Sequence, residues 1–182
     1  MKVTYGICKL HYAVISSGVY QTPKPIPGGV SLSIDPPNGA KYISSSIGNV
    51  PYGNTEGEYS GSLTIASLPL AFLSDVYGYE VNQTNDIIKD KGHDGIVRFA
   101  LLFQTETDNG AKRVVFYDCE AGNYSEQIRT TEAGINYTVY TVPIKMRKNP
   151  ARVLRGYESD YKAEVFDTNA AYDTFFNSVY GA

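Results

Sequence analysis

Residues 58 to 66, EYSGSLTIA, alternate with a period of two: Tyr59, Leu63 and Ile65 fall on one face, Glu58, Ser60, Ser62 and Thr64 on the other. That alternation predicts a strand with one buried and one wet face. Within three residues the period changes. Leu70, Leu73, Val76 and Tyr77 recur at helical spacing, behind a candidate cap at Ser67 and a proline at position 69, until Gly78 stops them. A helix of two to three turns is too short to stand alone in water. It must therefore lean on a sheet.

The rest of the chain reads as short strands between turns. Residues 3 to 15 form a β-rich stretch that residues 19 to 22 echo after Ser16-Ser17-Gly18. Three prolines make residues 23 to 29 a connector without ladder donors. Residues 30 to 34 alternate again and close on Asp35-Pro36-Pro37-Asn38-Gly39. Residues 44 to 57, SSSIGNVPYGNTEG, predict a long, exposed, mobile loop. Residues 82 to 95 are turn-rich, with a tight loop over 91 to 95.

Residues 96 to 106, IVRFALLFQTE, are apolar on both faces and predict a central strand, returned antiparallel by residues 112 to 119 through Asp108-Asn109-Gly110. A polar loop over 120 to 133 leads to a strand over 134 to 145, in which Ile135, Tyr137, Val139 and Thr141 oppose Asn136, Thr138, Tyr140 and Val142. Residues 160 to 166 predict a shorter strand and 169 to 180 a terminal helix. No repeat or low-complexity tract divides the 182 residues, so one domain spanning 1–182 is expected, large enough to bury about 70 per cent of its extended surface.

Composition narrows the classes. Sixteen tyrosines, no tryptophan, 17 glycines and nine prolines suit a mostly β domain rich in turns. A formal net charge of -3 without any basic block argues against DNA binding through a basic face. Cys8 and Cys119 are too few for a disulfide scaffold and read as small core residues, suited to a reducing cytoplasm. The apolar start is interrupted by Lys9 and His11 and reads as a strand, not a signal peptide, and no apolar run is long enough to span a membrane.

Catalytic and metal signatures are missing from the sequence. His11 and His93 stand in no HxH or HExxH spacing, and there is no CxxC and no GxSxG. Gly48 to Thr55 has the outline of a phosphate loop, but Asn54 stands where a lysine must reach the phosphates. The pairs Glu56/Glu58 and Asp118/Glu120 read as a solvated strand face. Sequons at Asn82, Asn123 and Asn136 carry no meaning without a secretory signal. Neither an enzyme nor a cofactor is expected.

Six stretches in order resemble the major tail tube proteins of long-tailed, non-contractile bacteriophages and related prophages. They are GICKLHYAVI, GGVSLSIDP, EYSGSLTIASLPLAFLSDVYGY, VRFALLFQTETDNGAKRVVFYDCEAG, TVYTVPIKMR and the terminal FFNSVY. The resemblance implies a β-sandwich of antiparallel strands with a short flanking α-helix, a long β-loop and a C-terminal helix. It also implies self-assembly into rings, six copies to a ring, that stack into a tube through which DNA passes without specific binding. The 35 to 57 segment would then reach a neighbouring copy through Tyr42, Ile43, Val50 and Tyr52, and the helix, with Leu70, Leu73 and Tyr77, would lie near a subunit boundary. Implied partners are further copies of itself, a tape measure protein and tail terminator or distal tail proteins. The implied location is the virion tail, after synthesis in the bacterial host cytoplasm. Two alternatives stand beside this: a carbohydrate- or receptor-binding β-sandwich, suggested by the tyrosines, and a related connector or distal tail protein that closes one ring without stacking.

Overall fold

The computed structural model describes residues 4–37, 40–45, 48–54, 57–82, 87–90, 92, 95–108, 110–128, 138–148 and 160–181, with backbone alone at 4–5, 40–45 and 48–54. His93, Glu56, Asn136 and the predicted strand residues 134 to 137 lie outside them.

The doubly apolar strand is central. β10 (Arg98–Thr107) lies between β1 (Thr4–Ser16) and β11 (Gly110–Ala121), antiparallel to both. Because side chains alternate across a strand, Phe99, Leu101 and Phe103 enter one core while Ala100 and Leu102 enter a second on the reverse face. The hydrogen-bonded path runs β2 (Val19–Tyr20), β1, β10, β11, β13 (Val139–Arg147), β7 (Tyr59–Ile65), β4 (Gly29–Asp35), and every pairing is antiparallel. Three short strands flank it: β3 (Lys24–Pro25) beside β1, β12 (Ser125–Gln127) beside β13, and β14 (Lys162–Phe166) beside β11.

β11 carries two partners in succession. Lys112 to Phe116 pair with β14, and Asp118 to Ala121 pair with β13. From that branch the sheet returns to its start: the Ile26 amide donates to the Leu10 carbonyl, and Gly29 packs beside the Leu10 side chain. The strands of the larger core therefore belong to one continuous hydrogen-bonded sheet whose ends approach each other at Leu10.

One α-helix, α1 (Leu70–Tyr77), closes that core with Phe72, Leu73, Val76 and Tyr77. Gly78, at φ 68°, ends it: its amide donates to Ser74 O, and the Tyr79 amide to Leu73 O. A left-handed residue just past the last turn is the position glycine fills without strain. The N-terminus differs from expectation. Pro69 is the cap, with no side-chain hydrogen bond from Ser67. Leu70 is 45 % exposed, and fully buried Phe72 takes the inward place.

Several expected loops are hairpins. Residues 44 to 57 are not a featureless loop: β5 (Ala40–Ser45) and β6 (Gly48–Asn54) pair, with Ile43 opposite Val50 and Tyr42 opposite Pro51. Inside the turn-rich 82 to 95 segment, Ile87–Lys89 forms β9, paired with β8 (Glu80–Asn82). The proline connector is not free of pairing, since β3 adds two residues to β1 and Ile26 is buried.

On β13 the predicted alternation resolves with Val142, Ile144 and Met146 inward. Between Thr141 and Ile144, β13 leaves β12 and joins β11. Pro143 sits at that junction and accepts from the Gly122 amide, so its missing donor falls between two partners. The C-terminal helix is also absent. After one 3-10 turn at Ala170–Tyr172, capped by Asn169 accepting from the Ala171 amide, the described chain continues as turns.

That terminal segment covers the second core. Phe175 and Val179 pack against Ala13, Ala100, Leu102, Val115, Tyr117 and Val165. Buried Arg113 secures it: its guanidinium lies 3.7 Å from the Tyr172 ring centroid and 4.9 Å from that of Phe176, and it donates to Gln104 Oε1 and to the Tyr172 carbonyl. Cation–π stacking and backbone capture together hold a segment too short to hold itself.

Candidate functional site

The residues predicted to meet a neighbouring copy separate into two groups. The backbones of Tyr42, Ile43, Val50 and Tyr52 lie in the β5–β6 ribbon. Among the described residues this ribbon pairs with no other strand. Its connections explain its position, because Asp35 of β4 stands opposite Ser60 of β7. β5 and β6 thus lie in the chain between the adjacent ends of β4 and β7. On α1, Leu73 and Tyr77 are taken up by the chain's own core, whereas Leu70 faces outward.

Of the carboxylates predicted to sit on a wet face, Glu58 is exposed and ion-paired, Glu120 is half-buried and ion-paired, and Asp118 is buried, while Glu56 lies outside the described residues. Asp118 is 2 % exposed and receives both nitrogens of the Arg98 fork, Nε at 2.7 Å from Oδ1. Burial raises its carboxyl above the ordinary aspartate value, against the opposing pull of Arg98. Beside it, Arg147 bridges Glu120 and Glu58, the latter at 2.6 Å. These pairs tie β10, β11, β13 and the start of β7 together, and their geometry is that of structural cross-links.

Cys119 is buried, with its thiol pushed up by desolvation, and Cys8 is half-buried; both are free. His11 stacks on Phe176 at 4.4 Å, with Nδ1 2.8 Å from Lys9 O. Gly48 to Asn54 is strand, with no helix end to receive a phosphate. Among the described residues no three His, Cys, Asp or Glu are placed to hold a metal ion, and no helix is long and apolar enough to cross a membrane.

The arrangement that sequence reasoning missed is a cleft of about 560 Å³ lined by Tyr77, Tyr79, Asp90, Gly92, Asn123 and Tyr124. Three chain segments build it. The glycine cap of α1 delivers Tyr79, the end of β9 delivers Asp90, and the link from β11 to β12 delivers Asn123 and Tyr124.

The Tyr79 hydroxyl donates to Asp90 Oδ2 at 2.9 Å, and the Gly92 amide donates to Oδ1 at 2.8 Å. With its proton so used, Tyr79 accepts from Tyr124, 3.2 Å away. Tyr77 donates to the Gly122 carbonyl at 2.8 Å. The hydrogen bond with Tyr124, partial burial and the Asp90 charge hold Tyr79 neutral well above the ordinary tyrosine range, and burial does the same for Tyr77. Only the total of 16 tyrosines hinted at such a cluster, since no local spacing links positions 79, 90 and 124.

No family model and no curated protein matches the chain. Among solved structures it is similar to a chain of the sheath–tube complex, in the extended state, of an extracellular contractile injection system called PVC. The TM-score is 0.44 at 8 % identity, covering 87 % of this chain and 88 % of that one. It is also similar to the anti-feeding prophage cap, described as a tube-terminating cap, with a TM-score of 0.41 at 10 % identity, covering 90 % and 93 %. Likeness below half on the TM scale leaves function to be argued from this chain's own residues.

Proposed function

We propose that the chain is a structural subunit that assembles with copies of itself into a tail tube. The observation that carries this reading is the β5–β6 ribbon, which lies in the chain between the adjacent ends of β4 and β7 and, among the described residues, pairs only with itself. An isolated two-stranded ribbon is marginal in water, and its open edges are templates for another chain. Docked on a second copy, it gains both a surface to lie on and partners for its backbone. The six stretches that resemble major tail tube proteins, in order along nearly the whole chain, supply the kind of assembly.

In this reading rings stack along an axis, six copies to a ring by resemblance, and DNA passes through the lumen without specific binding. The net charge of -3 suits a wall that repels phosphates, since a basic wall would hold them by releasing counterions. Tyr42, Ile43, Val50 and Tyr52 anchor the ribbon on its neighbour, and outward-facing Leu70 lies near a boundary. The partners are other copies, a tape measure protein and terminator or distal tail proteins, the setting is the virion tail, and no catalysis is involved.

The direct test replaces residues 40 to 54 with a short glycine-serine turn. Asp35 and Ser60 are already opposite one another, so the shortened hairpin closes and the core is untouched. Sedimentation should show assemblies for the intact chain and folded monomers for the variant. Assemblies of equal size from both would overturn the role of the ribbon.

A further inference from the structure

We infer that the Tyr79–Asp90–Tyr124 cleft is a binding site for a pyranose sugar. The inference is independent of assembly, because the described cleft lies within a single chain. Its volume of about 560 Å³ falls inside the range of about 300 to 1,000 Å³ usual for small-molecule sites.

Its lining is of one chemical kind. Among the described residues no aliphatic side chain contributes. Tyr79 and Tyr124 offer partly exposed rings with polar tips, backed by buried Tyr77, Asp90 and Asn123 offer planar hydrogen-bonding groups, and Gly92 brings backbone close to the cavity. A pyranose has the matching composition, with C–H faces for the rings and a rim of hydroxyls for the carboxylate and amide.

The rings are set at angles that make walls instead of a stack. Tyr77 and Tyr124 meet edge to face at 5.3 Å and 71°, and Tyr77 and Tyr79 are tilted by 57°. Beyond Tyr124 the row continues to Tyr140, 6.0 Å away, whose hydroxyl donates to Glu126. A second sugar unit would meet further aromatic surface there.

The polar groups are held in place before any ligand arrives. Asp90 is oriented through both oxygens, by Tyr79 and by the Gly92 amide, and each oxygen retains a lone pair for a hydroxyl donor. Tyr79 is fixed from behind by the helix cap, and Tyr77 by Gly122. Such preorganisation removes much of the ordering cost of binding. An anionic ligand is mismatched, since it would meet the Asp90 carboxylate.

Saturation-transfer NMR on the full chain tests the site, with the methyl glycosides of glucose, galactose, mannose and N-acetylglucosamine as probes and tetramethylammonium as the cationic control. Saturation should reach the ring C–H protons of at least one glycoside at millimolar concentration. Asp90→Ala and Asn123→Ala change exposed side chains and leave the fold intact by circular dichroism. Each should weaken binding about tenfold, the cost of a lost hydrogen-bonding partner. Tyr124→Phe, which keeps the ring, should weaken it less than Asp90→Ala. The inference fails if no glycoside receives saturation, if transfer is unchanged in both alanine variants, or if tetramethylammonium binds and no sugar does.

Discussion

The Tyr12 hydroxyl, at the fully buried centre of β1, donates a 2.8 Å hydrogen bond to Asp75 Oδ2 on α1. Lys24 reaches the same oxygen at 2.6 Å from β3. One carboxylate thus joins the helix to two strands, and burial together with Asp75 holds Tyr12 neutral far above its usual range. Removing Asp75 as alanine strands a buried hydroxyl and should cost about 1–3 kcal/mol. Lys24→Ala, at a side chain 51 % exposed, should cost under about 1 kcal/mol. Urea unfolding of the two variants checks the order, which is contradicted if the lysine change costs as much.

The helix register makes a second prediction. Phe72 meets Tyr12 edge to face at 4.9 Å, and Phe99 and Tyr77 at 5.9 Å each, with no surface exposed. Phe72→Ala should destabilise by about 3–5 kcal/mol. Leu70→Ala should cost within about 0.5 kcal/mol, as an exposed position does. Thermal unfolding of both variants reads the difference, and similar losses would contradict the assigned face.

Two buried or half-buried carboxylates should act on stability in opposite directions with pH. Glu164 is pushed up by burial, but its bonds from Lys162 at 2.6 Å and Lys112 at 3.1 Å outweigh that, and its folded pKa lies below the ordinary glutamate value. The unfolded chain then holds the proton more readily. Its stabilisation is present above the ordinary value and is lost as pH falls through the lowered one. Asp118 has a raised folded pKa, so the native state holds its proton more readily. Its contribution is present below the ordinary aspartate value and is lost as pH rises through the raised one. Unfolding measured across the acid range should therefore lose part of its low-pH decline in Glu164→Gln, whereas Asp118→Asn should steepen the net rise of stability with pH above the ordinary aspartate value. The opposite pattern would contradict the pairing assigned to each.

Gly61 lies in β7 between β4 and β13, where a Cβ would run into the Ser33 carbonyl oxygen and come within 3.1 Å of Met146 Cε. Since backbone has to move to make room, Gly61→Ala should destabilise by about 1–3 kcal/mol. Chemical denaturation measures this, and a neutral effect would mean that β4 yields easily.

The elements legible in the sequence were those whose pattern is local and strong. Residues 58 to 66 alternate cleanly, the 96 to 106 run is apolar throughout, and Gly78 stops the helix, and each stands where the pattern puts it. Where tertiary partners decide, the sequence reading failed. The terminal FFNSVY is held by Arg113 from a distant strand without becoming an α-helix.

Asn and Gly in the 44 to 57 stretch look like loop residues, yet Ser45 pairs with Gly48 and Ile43 with Val50 in the β5–β6 ladder. The tyrosine cleft gathers residues from three segments, so composition announced its material but no spacing announced its place.

Negative-stain electron microscopy of the purified chain across a range of concentrations reads assembly without an intermediary. A tube-forming chain should show stacked rings or hollow tubes that grow with concentration and are lost when residues 40 to 54 are replaced. Uniform single particles at every concentration and salt would contradict assembly.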